Sequence, residues 1–210
     1  MQLALDASFG SVLHWRTQFV ACATTPGGGA GAALLVFQPR DGALAIQWAA
    51  DPATAAAGGV PILALDMGAL AHRARDGTAA GAEVDACMAR IDWAAVHGRY
   101  QRAVHAASEP LGAGQDAVAD AVLLDVRRAG AYANAQTMLP GACWRDPATV
   151  AQWAAALPAG RAVVVYCVHG HEVSRATAMR LQAAGRDARF LRGGLEGWRA
   201  ANRPLVHKPG

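Results

Sequence analysis

The chain has 210 residues, of which 53% are hydrophobic and 17% are charged, so it is long enough to bury the core of one large or two small domains. Its formal net charge of +3 at pH 7 is spread thinly, without a block of Lys or Arg, so nucleic acid is not expected as a partner. The longest strongly apolar stretches, such as 162–168, are far shorter than the roughly 20 residues that cross a bilayer, so no membrane span is expected.

The N-terminus and the cysteines indicate a cytoplasmic protein. Residues 1–6 have no basic segment ahead of an apolar one, which argues against a secretory signal. The four cysteines show no C-x-x-C pair and no Cys/His spacing typical of zinc ligation. We therefore expect reduced thiols, no structural zinc and no cofactor. The cysteines are Cys22, Cys87, Cys143 and Cys167.

The first half of the chain is predicted to be α+β. An amphipathic helix is predicted over 3–24, and the glycine cluster 27–31 ends it. An Asp-Gly turn at 41–42 favours a hairpin between the first two of three strands, and Asp92 is predicted to cap the last of three later helices. The predicted strands are 33–38, 43–50 and 61–66, and the predicted helices are 67–75, 79–91 and 93–107.

The second half is predicted to be α/β. Residues 108–120, rich in small residues, Gly and Pro, show no hydrophobic period and are predicted to be a linker between domains at 1–107 and 121–210. Unrelieved apolar runs at 121–126 and 162–168 are typical of strands buried on both faces of a parallel sheet. Helical patterns follow these runs, at 147–157 and 174–184.

Cys167 is the residue most suited to chemistry. It stands where the second apolar run ends, in a loop that contains Gly170 and precedes a predicted helix. Backbone N–H groups in such a loop and the positive end of a helix favour a thiolate. A thiolate can take a sulfane sulfur from a donor and hold it as a persulfide. The alternative is that Cys167 is a small buried hydrophobe at a strand end.

The stretch from about 121 to 205 resembles the rhodanese family. Four motifs stand in the family's order: Leu124-Asp125-Val126-Arg127, Leu139-Pro140-Gly141-Ala142, Val165-Tyr166-Cys167 with Gly170, and Leu191-Arg192-Gly193-Gly194-Leu195-Glu196-Gly197-Trp198. The resemblance implies a persulfide on Cys167, a small sulfur donor, and a thiol or cyanide acceptor. It further implies that Asp125 and Arg127 support the site and that the loop binds substrate through Val168, His169, Gly170, His171, Glu172 and Val173.

The loop departs from the family pattern. A typical loop reads C-x-x-G-x-R, whereas Glu172 stands at the arginine position and Val173 is an extra residue. Glu172 is expected to repel anionic thiosulfate unless His169 or His171 is protonated. Whether the two histidines bind the donor or point into solvent is left open. The loop resembles that of a bacterial subgroup that also occurs fused to chromate-resistance domains.

The first half resembles the C-terminal domain of iron/manganese superoxide dismutases, which implies a three-stranded antiparallel sheet with helices. The resemblance is carried by Phe9-Gly10-Ser11, 33–52, 60–66, Ile91-Asp92-Trp93 and Arg99-Tyr100. That family binds its metal through two histidines of an N-terminal helical hairpin and through the Asp and His of a D-x-W-E-H segment. Asp66 keeps the aspartate, but Leu70 replaces the histidine and His72 lies two residues beyond it. Because one aspartate cannot hold a redox metal, none is expected.

Three functions follow from these patterns. The first is a sulfurtransferase at Cys167 with a non-catalytic dismutase-like module, with a homodimer as a further expectation. The second is a non-enzymatic sensor of sulfur, redox state or an oxyanion such as chromate, or an interaction protein. The third, a metal-dependent superoxide dismutase, is disfavoured because its ligands are missing.

Overall fold

The computed structural model describes residues 1–24, 31–50, 58–67 and 79–209, and for 79–83 it describes the backbone alone. These residues divide into two compact units. The first comprises Met1–Pro39 and Ala43–Ala103, and the second comprises Arg40–Gly42 and Val104–Gly210.

The first unit begins with two helices, α1 (Gln2–Phe9) and α2 (Val12–Ala23). The prediction of one helix over 3–24 is therefore wrong. Gly10 ends α1 with a φ of 84°, a left-handed conformation that favours glycine. The Ser11 hydroxyl then accepts a hydrogen bond from the backbone N–H of His14 at 3.0 Å and so caps α2.

A three-stranded antiparallel sheet forms the centre of the first unit. Its strands are β1 (Ala32–Phe37), β2 (Leu44–Ala49) and β3 (Val60–Asp66), in the order β2-β1-β3. The three predicted strands are confirmed to within about a residue at each end. The central strand β1 has a partner strand on each side, and its residues are buried along its whole length.

Among the described residues, β3 is followed by the helices α3 (Ala79–Ala89) and α4 (Trp93–Ser108). The predicted cap is confirmed, since the Asp92 carboxylate accepts a hydrogen bond from the backbone N–H of Ala95 at 3.0 Å. The helix predicted over 67–75 lies outside the described residues except for Met67.

The second unit contains a five-stranded sheet in which every pairing is parallel. The strands of this unit are β4 (Gly112–Ala113), β5 (Val122–Asp125), β6 (Thr137–Met138), β7 (Cys143–Trp144), β8 (Val163–Tyr166), β9 (Ala188–Leu191) and β10 (Val206–His207). The order in the five-stranded sheet is β4-β9-β8-β5-β7, and β6 and β10 form a separate antiparallel pair. This confirms the predicted α/β class with a parallel sheet.

Side chains of the central strands pack on both faces of this sheet. Along β8, Val163 and Val165 belong to one apolar cluster, whereas Val164 and Tyr166 belong to another. The two clusters explain why the run is apolar without alternation. The accompanying helices are α5 (Ala129–Ala133), α6 (Val150–Trp153), α7 (Glu172–Ala183) and α8 (Gly194–Ala200). Within the described ranges, no helix has both the length and the apolar character needed to traverse a bilayer.

In the second unit, two segments differ from the sequence expectation. The helix predicted over 147–157 is divided into a 3₁₀ turn (Pro147–Thr149), α6 and a second 3₁₀ turn (Ala154–Ala156). The segment 108–120, predicted to lack regular structure, contains β4, whose Ala113 carbonyl accepts a hydrogen bond from the backbone N–H of Arg192 at 3.0 Å. A two-residue strand leaves no hydrophobic period in the sequence, and only pairing with β9 defines it.

Candidate functional site

Cys167 lies at the carboxyl end of the central strand β8. The strand ends at Tyr166, and α7 begins at Glu172, so Cys167 opens the connecting loop as the sequence indicates. Its side chain is 6% exposed. Cys167 therefore lies between the end of the central strand and the start of α7.

The loop rests on the glycine pair that precedes α8. The backbone N–H of Leu195 donates to the Cys167 carbonyl, and that of Glu196 donates to the Val168 carbonyl, both at 2.9 Å. Any Cβ atom at Gly194, where φ is 57°, would lie 2.5 Å from the Cys167 carbonyl oxygen. The glycine-rich signature therefore lets two backbone segments approach closely and holds the loop in place.

A cavity of about 200 Å³ opens above the sulfur. Of the predicted substrate-binding residues, all but Gly170 line it. Gly170 has a φ of 71°, and a Cβ atom there would lie 2.8 Å from the Leu191 carbonyl oxygen, so its role is to pack against the end of β9. The lining residues are Arg127, Arg128, Ala131, Cys167, Val168, His169, His171, Glu172 and Val173.

Ser174 contacts the sulfur directly, which the sequence reasoning missed. Its hydroxyl oxygen lies 3.2 Å from Sγ of Cys167, and the Ser174 side chain is fully buried. The hydroxyl also reaches the carbonyl of His171 at 3.4 Å. When the sulfur is a thiolate, the hydroxyl can turn to donate to it, which stabilises the charged form.

Glu172 is paired with an arginine that the sequence analysis did not identify. A guanidinium nitrogen of Arg128 donates to Oε1 of Glu172 at 3.0 Å, and the Glu172 side chain is 11% exposed. The expected repulsive charge is therefore compensated inside the cavity. Arg128 follows β5, and β5 lies beside β8 in the parallel sheet, so both strands end at the same edge. That strand order brings Arg128 to Glu172, and the sequence does not state it.

Three histidine rings lie close together, and two of them, His169 and His171, line the cavity. The ring centroids of His169 and His171 lie 5.4 Å apart, and those of His171 and His105 lie 5.8 Å apart. Burial lowers the pKa of His105, and the nearby charges of Arg175 and His171 lower it further. His105 stands on α4, before the predicted linker, and no sequence motif connects it with the loop.

Arg175 stabilises the loop through hydrogen bonds and a ring contact. Its Nε donates to the Gly170 carbonyl at 2.9 Å, and its terminal nitrogen bonds the Ser108 hydroxyl at 3.2 Å and a Glu109 carboxylate oxygen at 3.0 Å. The guanidinium also lies 4.1 Å from the ring centroid of Phe190. These contacts link the loop to β9 and to the end of α4.

Asp125 and Arg127 form a buried ion pair at the end of β5. Their side chains are bonded through Nε at 2.9 Å and a terminal nitrogen at 2.5 Å, and they are 0% and 2% exposed. The Tyr166 hydroxyl donates to Asp125 at 2.9 Å, and burial raises the pKa of Tyr166, which keeps that proton in place. Removing one member of such a pair costs about 3–5 kcal/mol, so the pair supports the edge of the sheet beside Cys167.

Comparisons with known proteins match the two halves of the chain to two different families. The rhodanese-like domain matches residues 105–201, and the C-terminal domain of iron/manganese superoxide dismutases matches residues 1–99. The superoxide dismutase [Fe] of Cupriavidus metallidurans is 43% identical over 104 residues, which are 50% of this chain and 53% of that protein. The chain thus spans about half the length of this curated relative.

Solved structures similar to part of the chain include three proteins. A crystal structure of a Lactobacillus plantarum protein is 29% identical, with a TM-score of 0.42, and the match covers 47% of this chain and 90% of that one. The rhodanese-related protein of Thermoplasma volcanium is 19% identical, with a TM-score of 0.39, over 43% and 88%. The thiosulfate sulfurtransferase of Pseudomonas aeruginosa is 26% identical, with a TM-score of 0.36, over 41% and 16%.

The residues present do not fit the metal of the dismutase family. Asp66 is the last residue of β3 and its side chain is exposed. Leu70 and His72 lie outside the described residues, but a leucine has no donor atom in any conformation. Residues 1–99 thus match the C-terminal domain of iron/manganese superoxide dismutases, with Leu70 in place of the expected histidine, and residues 105–201 match the rhodanese-like domain.

Proposed function

We propose that the rhodanese-like domain is a sulfurtransferase that carries sulfane sulfur as a persulfide on Cys167. The observation that carries this proposal is the position of the sulfur, which lies at the edge of a cavity, 3.2 Å from a buried hydroxyl. A cysteine that served only as a core residue would need neither feature.

The first half-reaction loads the sulfur. The Cys167 thiolate attacks the outer sulfur of a donor R–S–SH, and a bond forms between that sulfur and Sγ. The S–S bond of the donor breaks, and its electron pair leaves with the thiolate R–S⁻. Cys167 then carries –S–SH, and no external oxidant or reductant is consumed.

The second half-reaction passes the sulfur to an acceptor. Cyanide or an acceptor thiolate attacks the outer sulfur of the persulfide and forms a C–S or S–S bond. The electron pair of the broken bond returns to Sγ, and the proton of the outer sulfur is released to solvent. The thiolate of Cys167 is thereby regenerated.

The surroundings of Cys167 support both steps. Leu195 and Glu196 anchor the backbone of the loop through their N–H groups, so the sulfur is held without reorganisation. Ser174 supplies a hydrogen bond to the negative sulfur whenever Sγ is a thiolate.

The dismutase-like domain acts as a non-catalytic module for folding support or association in this proposal.

Turnover with a paired set of cysteine variants tests the proposal. The full-length protein is supplied with a sulfane-sulfur donor and cyanide, and thiocyanate is measured. We expect Cys167→Ser to abolish turnover, because a hydroxyl is neither ionised at neutral pH nor able to hold a sulfane sulfur. The control is Cys143→Ser, which changes an exposed cysteine and is expected to retain full turnover. Undiminished turnover by Cys167→Ser would refute the proposal.

A further inference from the structure

The charged side chains that line the cavity belong to two ion pairs, of which one is buried and the other is partly exposed. Arg127 is 2% exposed and is bonded to Asp125 through both Nε and a terminal nitrogen. Arg128 is 45% exposed and meets Glu172 through a terminal nitrogen at 3.0 Å. The first pair is fixed in the core, whereas the second presents its positive charge at the opening of the cavity.

This second pair makes the cavity a poor receptor for an ion of one sign. A dianion such as thiosulfate that binds Arg128 comes to lie beside the Glu172 carboxylate and competes with it for the guanidinium. A cation meets the same difficulty at Glu172. Uncompensated charge in a half-buried site is costly, so a donor with a single sign of charge is bound weakly.

A donor that carries both charges meets no such difficulty. Its carboxylate can bind Arg128 while its ammonium group binds Glu172, so one internal ion pair is exchanged for two pairs with the ligand. All charges remain compensated. The cavity volume of about 200 Å³ lies below the range of about 300–1,000 Å³ typical of drug-sized ligands, so it suits a small metabolite.

We propose that Arg128 and Glu172 determine the donor, and that they select sulfane sulfur carried by a zwitterionic amino-acid thiol, of which cysteine persulfide is the simplest. Cys167, Arg128 and Glu172 line the same cavity, so the charged end of the donor and its outer sulfur are received together. This inference rests on the proposed persulfide chemistry at Cys167 and adds the chemical class of the donor.

A donor series that varies one charge at a time tests this inference. The full-length protein receives, in single turnover at subsaturating concentration, the persulfides of cysteine, 3-mercaptopropionate and cysteamine, and separately thiosulfate. Cysteine persulfide carries both charges, the second donor lacks the ammonium group, and the third lacks the carboxylate. We expect cysteine persulfide to load Cys167 about tenfold faster than either single-charge persulfide, since each loses one charge-assisted contact.

Two variants assign the discrimination to its residues. Glu172→Gln is expected to lose the preference for cysteine persulfide over 3-mercaptopropionate persulfide and to load faster from thiosulfate. Arg128→Gln is expected to lose the preference over cysteamine persulfide. Arg161→Gln removes an exposed arginine of the same domain and is expected to keep the wild-type preferences. Because each preference is a ratio within one variant, a reduced folded fraction does not alter it.

The outcomes separate this inference from the proposed function. Equal or better loading of the wild type from thiosulfate or a single-charge persulfide would overturn the inference, and so would variants that change all donors by the same factor. In both cases sulfur still appears on Cys167, and the sulfurtransferase proposal stands. Failure of every donor to load Cys167 would instead refute the proposed function and, with it, the inference.

Discussion

The hydroxyl oxygen of Ser174 and the sulfur of Cys167 lie 3.2 Å apart across the start of α7. The serine is fully buried. Its hydroxyl can donate a hydrogen bond to a negatively charged sulfur at this distance and so stabilise the attacking thiolate.

Ser174→Ala is therefore expected to slow persulfide formation by about tenfold or less, the value of one charge-assisted hydrogen bond to the attacking sulfur. The control is Thr177→Ala, one turn further along α7, where the hydroxyl donates to the Val173 carbonyl at 2.8 Å. A rate of persulfide formation in Ser174→Ala equal to that of the wild type would show that the hydroxyl does not act on the sulfur.

Gly194→Ala is expected to destabilise the rhodanese-like domain by about 3 kcal/mol. An added Cβ atom would lie 2.5 Å from the Cys167 carbonyl oxygen and 2.6 Å from the Gly170 nitrogen, in a conformation with positive φ. Gly114→Ala is the matched control, because nothing lies within 4 Å of a Cβ atom there. Urea denaturation monitors both, and equal midpoints for the two variants would contradict the close backbone packing.

The free energy of unfolding is expected to fall at acidic pH, in part because of His105. Burial lowers the pKa of His105 from the ordinary 6.5, and the charge of Arg175 adds to this shift. The folded chain then binds the proton less readily than the unfolded chain, so this contribution to stability is full above pH 6.5 and is lost as the pH falls below it.

His105→Gln removes this contribution. The loss of stability between about pH 7.5 and about pH 5.5, measured by urea denaturation, is expected to be smaller in this variant than in the wild type. His207→Gln changes an exposed histidine and serves as the control. If His105→Gln and the wild type lost equal stability over this range, His105 would not be an acid-sensitive group.

The dismutase-like domain is expected to bind no catalytic metal. Protein produced in iron- or manganese-rich medium should contain no stoichiometric metal by elemental analysis and should consume no superoxide above the level of free metal. Leu70→His is not expected to restore activity, because Asp66 and one histidine remain too few ligands for a redox metal. One bound iron or manganese per chain together with superoxide consumption would contradict this expectation.

The sequence was sufficient for features that depend on local pattern. The strand before Cys167 could be predicted because Val163 to Tyr166 are apolar without alternation, and their side chains fill both faces of the sheet. The Asp92 cap also depends on local sequence, since its carboxylate accepts a hydrogen bond from the backbone N–H three residues further along the chain. The break at Gly10 was missed because the apolar pattern continues across it.

Features that depend on distant segments could not be predicted in this way. The pairing of Arg128 with Glu172 requires the order of β5 and β8 in the sheet, which the sequence does not state. His105 reaches the loop histidines only because the end of α4 packs beside the loop. Glu172 alone predicts a repelled anion, whereas Glu172 with Arg128 forms a compensated pair.

The persulfide on Cys167 can be measured directly by mass spectrometry. Full-length protein is incubated with cysteine persulfide or thiosulfate and digested without reductant. The mass of the peptide that contains Cys167 is then measured. We expect that peptide to gain the mass of one sulfur atom, to lose it again on addition of cyanide, and to gain nothing in Cys167→Ser. Absence of the added sulfur from wild-type Cys167 with both donors, or its equal appearance on the exposed Cys143, would contradict the assignment of Cys167 as the sulfur carrier.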